Sequence, residues 1–148
     1  MKVGIATDHN GVNQKREIID YLNNIGYEVS DFSQNNTPTD DFPHFAKIVC
    51  ENVINKNIEL GILMCGTGIG MSIAANKIDG IRCAKVSTVE EASLAKEHND
   101  ANVIALNYQM PIDELKNIIK VFLETEFSFD ERHIRRISEI TEIEEAND

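Results

Sequence analysis

Two patterns of apolar and polar residues alternate along this chain. Five short apolar runs have the length of buried strands, and they are predicted at residues 2–7, 27–32, 59–64, 81–86 and 101–106. After each run, apolar residues recur every three or four positions, which is typical of a helix with one buried face. Helices are predicted at 11–25, from Pro43 through Val53, at 71–77, from Ser87 or Thr88 to about Glu97, at 111–125 and at about 131–144.

This alternation predicts an α/β fold: a Rossmann-like, doubly wound sheet of five parallel strands with helices on both faces and a C-terminal helix. No linker or repeat divides the chain, so residues 1–148 are expected to form one domain, with 145–148 as a frayed tail. Ligands bind such sheets beyond the carboxyl ends of the strands. The expected pocket residues are therefore Asp8 and His9, Cys65 to Gly70, Ser87, and Asn107 to Gln109.

Charge and composition narrow the class of function. The formal net charge of −11 argues against a nucleic-acid surface, but a few local cations can still hold a small phosphorylated ligand. No apolar run approaches a membrane span and no signal peptide is supported, so a cytoplasmic protein is expected. Cys50, Cys65 and Cys83 lie far apart and lack metal-ligand spacing, so reduced thiols and no metal site are expected.

The most informative segment is the turn at 65–70, Cys-Gly-Thr-Gly-Ile-Gly, between the third strand and its helix. Gly66, Gly68 and Gly70 leave backbone N–H groups open to an anion beside a helix N-terminus. Cys65 opens the turn, where the same groups would stabilise a thiolate. The spacing matches neither a dinucleotide fingerprint nor a Walker A loop. The turn therefore predicts an enzyme site that combines a base or nucleophile with an anion cradle, the alternative being a tight turn without a ligand.

Other polar residues fit either a structural or a functional role. Asp8 could cap the next helix, and His98-Asn99-Asp100 could form a polar helix end. Three of the five arginines fall within residues 132–136, where Arg132 and Arg136 are four positions apart and share a helix face. Paired guanidinium groups suit a phosphate, and a salt-bridged surface helix is the alternative.

Together these segments resemble ribose-5-phosphate isomerase type B, within a wider family that includes the galactose-6-phosphate isomerase subunits. The resemblance covers essentially the whole chain and is carried in order by residues 8–11, 41–44, 65–70, 74–77, 80–82, 97–103 and 132–133. It implies interconversion of ribose 5-phosphate and ribulose 5-phosphate without a metal or an organic cofactor. It also implies a homodimer or tetramer whose pocket lies between two subunits.

The resemblance further implies a role for each site residue. Cys65 would be the base that moves a proton between C2 and C1 of the open-chain sugar. The backbone amides of the turn, with Thr67, would hold the enediolate oxygens; the amides are those of Gly66, Gly68, Ile69 and Gly70. Asp8 and His98 would assist opening of the furanose ring. Asn99 would bind sugar hydroxyls, and the phosphate would be held by His9, Arg132 and Arg136.

Two positions depart from the family's pattern. Many relatives have Tyr where this chain has Phe42, and Arg where it has Gln109. Both changes concern substrate binding rather than proton transfer, so isomerisation of another aldose phosphate, such as allose 6-phosphate or galactose 6-phosphate, stays open. A non-catalytic sugar-phosphate-binding module is a further alternative, although binding alone would need no base such as Cys65.

Overall fold

The sheet pairs all of its strands in parallel, in the order β2-β1-β3-β5-β4. In the computed structural model, which describes residues 1–148, the strands are β1 Lys2–Thr7, β2 Glu28–Asp31, β3 Leu60–Cys65, β4 Cys83–Lys85 and β5 Val103–Asn107. The helices are α1 Val12–Asn24, α2 Phe42–Ile54, α3 Ile69–Ala75, α4 Val89–Asn99, α5 Ile112–Glu124 and α6 Glu131–Ala146. A short 3₁₀ turn, His9–Gly11, precedes α1. The predicted five-stranded α/β architecture is confirmed.

Helices cover both faces of the sheet, which explains why its strands read as apolar runs rather than as alternating patterns. All six residues of β3 are buried. On one face, Ile18 of α1 and Leu115 and Phe122 of α5 share a core with the sheet. On the other face, α2 and α3 contribute Val49 and Met71. None of the helices is both long and apolar enough to cross a membrane.

The predicted ends of several elements were wrong by two or three residues. Helix α3 begins at Ile69 because Gly68 takes the left-handed conformation (φ 80°) and ends the turn, so Gly70 belongs to the helix. Helix α4 continues to Asn99 before Asp100 turns the chain with φ 44°. Helix α6 runs to Ala146, so most of the acidic tail is helical, and fraying of the last residues stays a prediction.

Candidate active site

The carboxyl ends of β1, β3 and β5 bring the first group of predicted residues together. Thr7 pairs with Met64 and Cys65 pairs with Asn107, so Asp8, Cys65 and the residue after β5 share one edge of the sheet. The backbone N–H of Tyr108 donates to the Cys65 carbonyl at 3.3 Å, which ties the β5 loop to the cysteine. We call this group, residues 8–9 and 65–70, the cysteine half-site.

Cys65 is the last residue of β3 and is only 6% exposed. The chain folds back at Gly68, whose N–H donates to the Cys65 Sγ at 3.2 Å. The Cys65 thiol thus lies at the edge where parallel sheets bind ligands.

The turn itself uses some of its amides. The Ile69 N–H donates to Thr67 Oγ1 at 3.1 Å, and the Gly68 N–H is directed at the cysteine sulfur. The N–H groups of Gly66 and Thr67 make no hydrogen bond within the chain. Gly70 has another reason to be glycine, because a Cβ there would lie 2.7 Å from the Phe42 ring.

We expect Gly68→Ala to destabilise the protein by about 1–3 kcal/mol, because a side chain is strained in the left-handed region. A Cβ at Gly68 would also lie 3.0 Å from the backbone carbon of Leu106, which cannot move aside without distorting β5. Gly66→Ala is the matched control, since its nearest neighbour would be the Tyr108 hydroxyl at 3.8 Å. Urea denaturation of both variants checks this, and equal midpoints would contradict it.

Asp8 and His9 follow β1 directly. Asp8 Oδ1 accepts a hydrogen bond from the Asn10 N–H at 3.0 Å, so this carboxylate does cap the 3₁₀ turn while facing the sheet edge. The imidazole Nδ1 of His9 lies 3.1 Å from Asp40 Oδ1. Sequence reasoning missed Asp40, because the polar stretch around it carries turn signals only.

Tyr108 belongs to the predicted pocket segment 107–109, but sequence reasoning gave its side chain no chemical role. Its side chain is buried: the ring packs where a Cβ on Gly11 would be 2.7 Å away, and its hydroxyl lies beside Gly66. Burial raises the pKa of the Tyr108 hydroxyl, and the negative charge of nearby Asp8 raises it further. The hydroxyl therefore stays protonated next to Cys65. The sequence signal that pointed to Tyr108 was its position directly after β5, at the edge of the sheet where ligands bind.

The other predicted residues form a second cluster, which we call the histidine half-site: His98, Asn99, Arg132 and Arg136. The His98 ring lies 4.4 Å from the ring of His133, centroid to centroid. His133 is buried, and its Nδ1 lies 2.6 Å from Ser128 Oγ. The start of α6 is thus fixed against the end of α4.

The arginines at the start of α6 are exposed. Asp130 caps the helix by accepting from the Arg132 N–H at 2.8 Å, and this bond lowers the pKa of Asp130. Arg132 also reaches Asp130 through Nε at 3.3 Å, and Arg135 pairs with Glu139 at 3.9 Å. Arg136 has no ion pair. Arg135 therefore fits a salt-bridged surface helix, the alternative to a phosphate site, better than Arg136 does.

The two half-sites lie at opposite ends of the sheet in one chain. Helix α4 starts beyond the carboxyl end of β4 and returns to the amino end of β5, so His98 and Asn99 sit at that amino end. The five residues of β5 alone span roughly 13 Å between the two ends. One chain does not bring Cys65 and His98 into one pocket. No three His, Cys, Asp or Glu side chains lie close enough together to ligate a metal ion.

Comparison with known proteins shows the class to which this doubly wound sheet, with a cysteine–glycine turn at its carboxyl edge, belongs: the sugar-phosphate isomerases. Residues 3–140 match the family model for ribose/galactose isomerase, and the chain belongs to that family. Ribose-5-phosphate isomerase B of Escherichia coli is 39% identical, with 97% of each chain covered.

Solved structures give the same result. A Clostridium thermocellum ribose-5-phosphate isomerase B has 43% identity and a TM-score of 0.95, with 100% of both chains covered. The Mycoplasma genitalium ribose-5-phosphate isomerase B, solved with bound ribulose 5-phosphate, has 37% identity and a TM-score of 0.91, with 97% of this chain and 96% of that chain covered. These structures share the fold described above.

Proposed function

We propose that this isomerase interconverts ribose 5-phosphate and ribulose 5-phosphate, with Cys65 as the base. The observation that carries the proposal is the placement of the Cys65 Sγ: buried at the end of β3, bonded to the Gly68 N–H, and followed by two amides free to bind an oxygen. The ribulose 5-phosphate bound in the Mycoplasma genitalium relative supports this choice of sugar.

The chemistry needs a base and a group that meets the developing negative charge. The Cys65 thiolate takes the proton from C2 of the open-chain aldose, the electron pair forms a C1–C2 double bond, and O1 becomes an enediolate oxygen. The thiol returns the proton to C1 while the O2 proton moves to O1 and the C2 carbonyl forms. The turn amides, with Thr67, stabilise the enediolate, and each such donor contributes about 10²–10³ in rate.

Ribose 5-phosphate enters mostly as a closed furanose, so a second pair of groups is needed. Asp8, beside Cys65, and His98, from the other half-site, are suited to move protons between the ring oxygen and the C1 hydroxyl during ring opening. Asn99 would bind sugar hydroxyls. His9 in the first half-site and the α6 guanidinium groups of Arg132 and Arg136 would hold the phosphate.

This assignment requires two chains. The cysteine half-site of one chain would face the histidine half-site of its partner in a twofold-symmetric dimer, so that each dimer holds two identical sites. Large exposed apolar side chains flank both halves, as an interface needs: Ile69 and Ile73 near the cysteine, and Phe129 and Ile134 near the arginines. Phe129 is 73% exposed in the single chain, which is unfavourable unless a partner covers it.

We expect Asp8→Asn to separate ring opening from proton transfer. Asn keeps the cap on the 3₁₀ turn, because Asn and Asp cap equally well. Net turnover of ribose 5-phosphate should fall by roughly 10²-fold or more. Ribulose 5-phosphate cannot cyclise, since its C5 oxygen is esterified, so exchange of its C1 proton with solvent deuterium should persist. NMR measures both rates; loss of both in Asp8→Asn would place Asp8 in proton transfer instead.

The direct test of the proposal is an assay of ribulose 5-phosphate formed from ribose 5-phosphate by the purified protein. Robust turnover supports the proposed substrate. A folded oligomer without turnover would contradict it and direct the search to hexose phosphates, with Phe42 and Gln109 as the first positions to exchange.

A further inference from the structure

One carboxylate holds His9 at two atoms. Asp40, in the loop between β2 and α2, places Oδ1 3.3 Å from the His9 backbone N and 3.1 Å from its ring Nδ1. A ring nitrogen that faces a carboxylate donates to it, so we expect Nδ1 to donate to Asp40. The other ring nitrogen, Nε2, is then left for a ligand, and the His9 side chain is 35% exposed.

Asp40 is itself held in place. Its Oδ2 accepts from Asn36 Nδ2 at 2.9 Å and from the Thr37 N–H at 3.1 Å, and its side chain is only 8% exposed. Burial opposes ionisation, but the hydrogen bonds from Asn36, His9 and Thr37 outweigh it and lower the pKa of Asp40. Asp40 is therefore a fixed, charged acceptor.

The loop that carries Asp40 is anchored to the sheet from the core side. Asn36 also donates to the Thr7 carbonyl at 2.9 Å. Lys15 of α1 is 3% exposed; its Nζ donates to the Ser33 carbonyl at 2.8 Å and lies 3.0 Å from Asp31 Oδ2. A buried lysine with good partners fixes the start of this loop, next to β2. The position of Asp40, and through it that of His9, follows from these contacts.

We propose that Asp40 is a positioning residue, which accepts a hydrogen bond from Nδ1 and so fixes the His9 imidazole with Nε2 facing the substrate phosphate. Nε2 donates a charge-assisted hydrogen bond to the phosphate when both ring nitrogens carry a proton. This inference rests on the proposed function, which places the phosphate at His9. Carboxylate–imidazole pairs set the orientation of the ring and decide which nitrogen meets the ligand.

The first test needs no variant that alters Asp40. ¹⁵N NMR of the unmodified protein, with the His9 signals identified by their loss in His9→Gln, reports which ring nitrogen is protonated. A protonated Nδ1 is expected. A neutral ring protonated only at Nε2 would overturn the inference, because Asp40 would then not accept from the ring.

The second test compares Asp40→Asn with Asp41→Asn, which removes the same charge one residue further along. Asp41 is exposed and its side chain makes no cap hydrogen bond. In Asp40→Asn, the dissociation constant for inorganic phosphate and the KM should each rise about tenfold, while kcat stays within about twofold. The reason is that the lost interaction holds the phosphate equally well in the bound substrate and in the transition state. Asp41→Asn should change each by less than about twofold.

Equal effects of the two variants, or a fall in kcat with unchanged KM, would overturn the positioning role. Titration with inorganic phosphate, followed at the His9 signals, does not depend on turnover. If ribose 5-phosphate is not a substrate, the proposed function fails while the phosphate titration still decides on Asp40. If Asp40→Asn does not fold, the nitrogen shifts of the unmodified protein decide.

Discussion

Cys65→Ala should reduce turnover of ribose 5-phosphate by about 10²–10⁴-fold, the share that a positioned base contributes. The Cys65 Sγ lies at the end of β3, where the Gly68 N–H donates to it and Asp8 and Tyr108 are nearby. The variant should also lose exchange of the C1 proton of ribulose 5-phosphate, which distinguishes it from Asp8→Asn.

The binding of phosphate should survive in Cys65→Ala, because the cysteine is not expected to touch that group. Cys83→Ala is the matched control: it removes a thiol from the edge strand β4, which is separated from β3 and Cys65 by β5, and burial raises the pKa of that thiol. Turnover in Cys83→Ala should stay within about twofold of the unmodified protein. Equal loss of turnover and of phosphate affinity in Cys65→Ala would contradict the assigned role.

Mixed dimers of two inactive variants should regain activity. Cys65→Ala disables the cysteine half-site and His98→Gln disables the histidine half-site, and each homodimer carries its defect in both sites. In a mixed dimer, one site is built from the two altered half-sites and contains both defects, while the other site is built from the two unaltered half-sites and contains none. With random assortment, half of the dimers are mixed, so about a quarter of the unmodified turnover should return. Co-expression under two affinity tags isolates the mixed species, and the isolated mixed dimer, with one intact site of two, should show about half of the unmodified turnover.

The control for this complementation pairs two variants of the same half-site. A mixed dimer of Cys65→Ala and Asp8→Asn carries one of the two defects in every site, so it should stay as inactive as its parents. Recovery in that pair, or no recovery with Cys65→Ala and His98→Gln, would contradict a site shared between chains and would require both half-sites to act within one chain.

Much of the fold could be predicted because its signals are local. A parallel sheet covered on both faces needs continuous apolar strands, and β3, with every residue buried, is such a run. Helix ends were less predictable, because they depend on single backbone conformations. Gly68 at φ 80° starts α3 two residues early, and Asp100 at φ 44° lets α4 reach Asn99.

The cysteine half-site was predictable for the same reason as the sheet, since its residues directly follow strands. Asp40 was not, because its contact with His9 joins residues 31 positions apart through a loop without a regular pattern. The separation of His98 from Cys65 could have been deduced from topology alone: a helix between parallel strands returns to their amino ends. The individual roles of these residues stay predictions.

The central claim is that ribose 5-phosphate is the preferred substrate. Its most direct test is an assay in which two sugar phosphates compete for the same protein sample. Equal concentrations of ribose 5-phosphate and allose 6-phosphate are supplied together, and NMR follows the disappearance of each, which gives the ratio of their kcat/KM values. We predict that ribose 5-phosphate is consumed at least about tenfold faster, a difference of about 1.4 kcal/mol in transition-state binding. Faster consumption of the hexose phosphate, or none of either sugar, would contradict a ribose-5-phosphate isomerase.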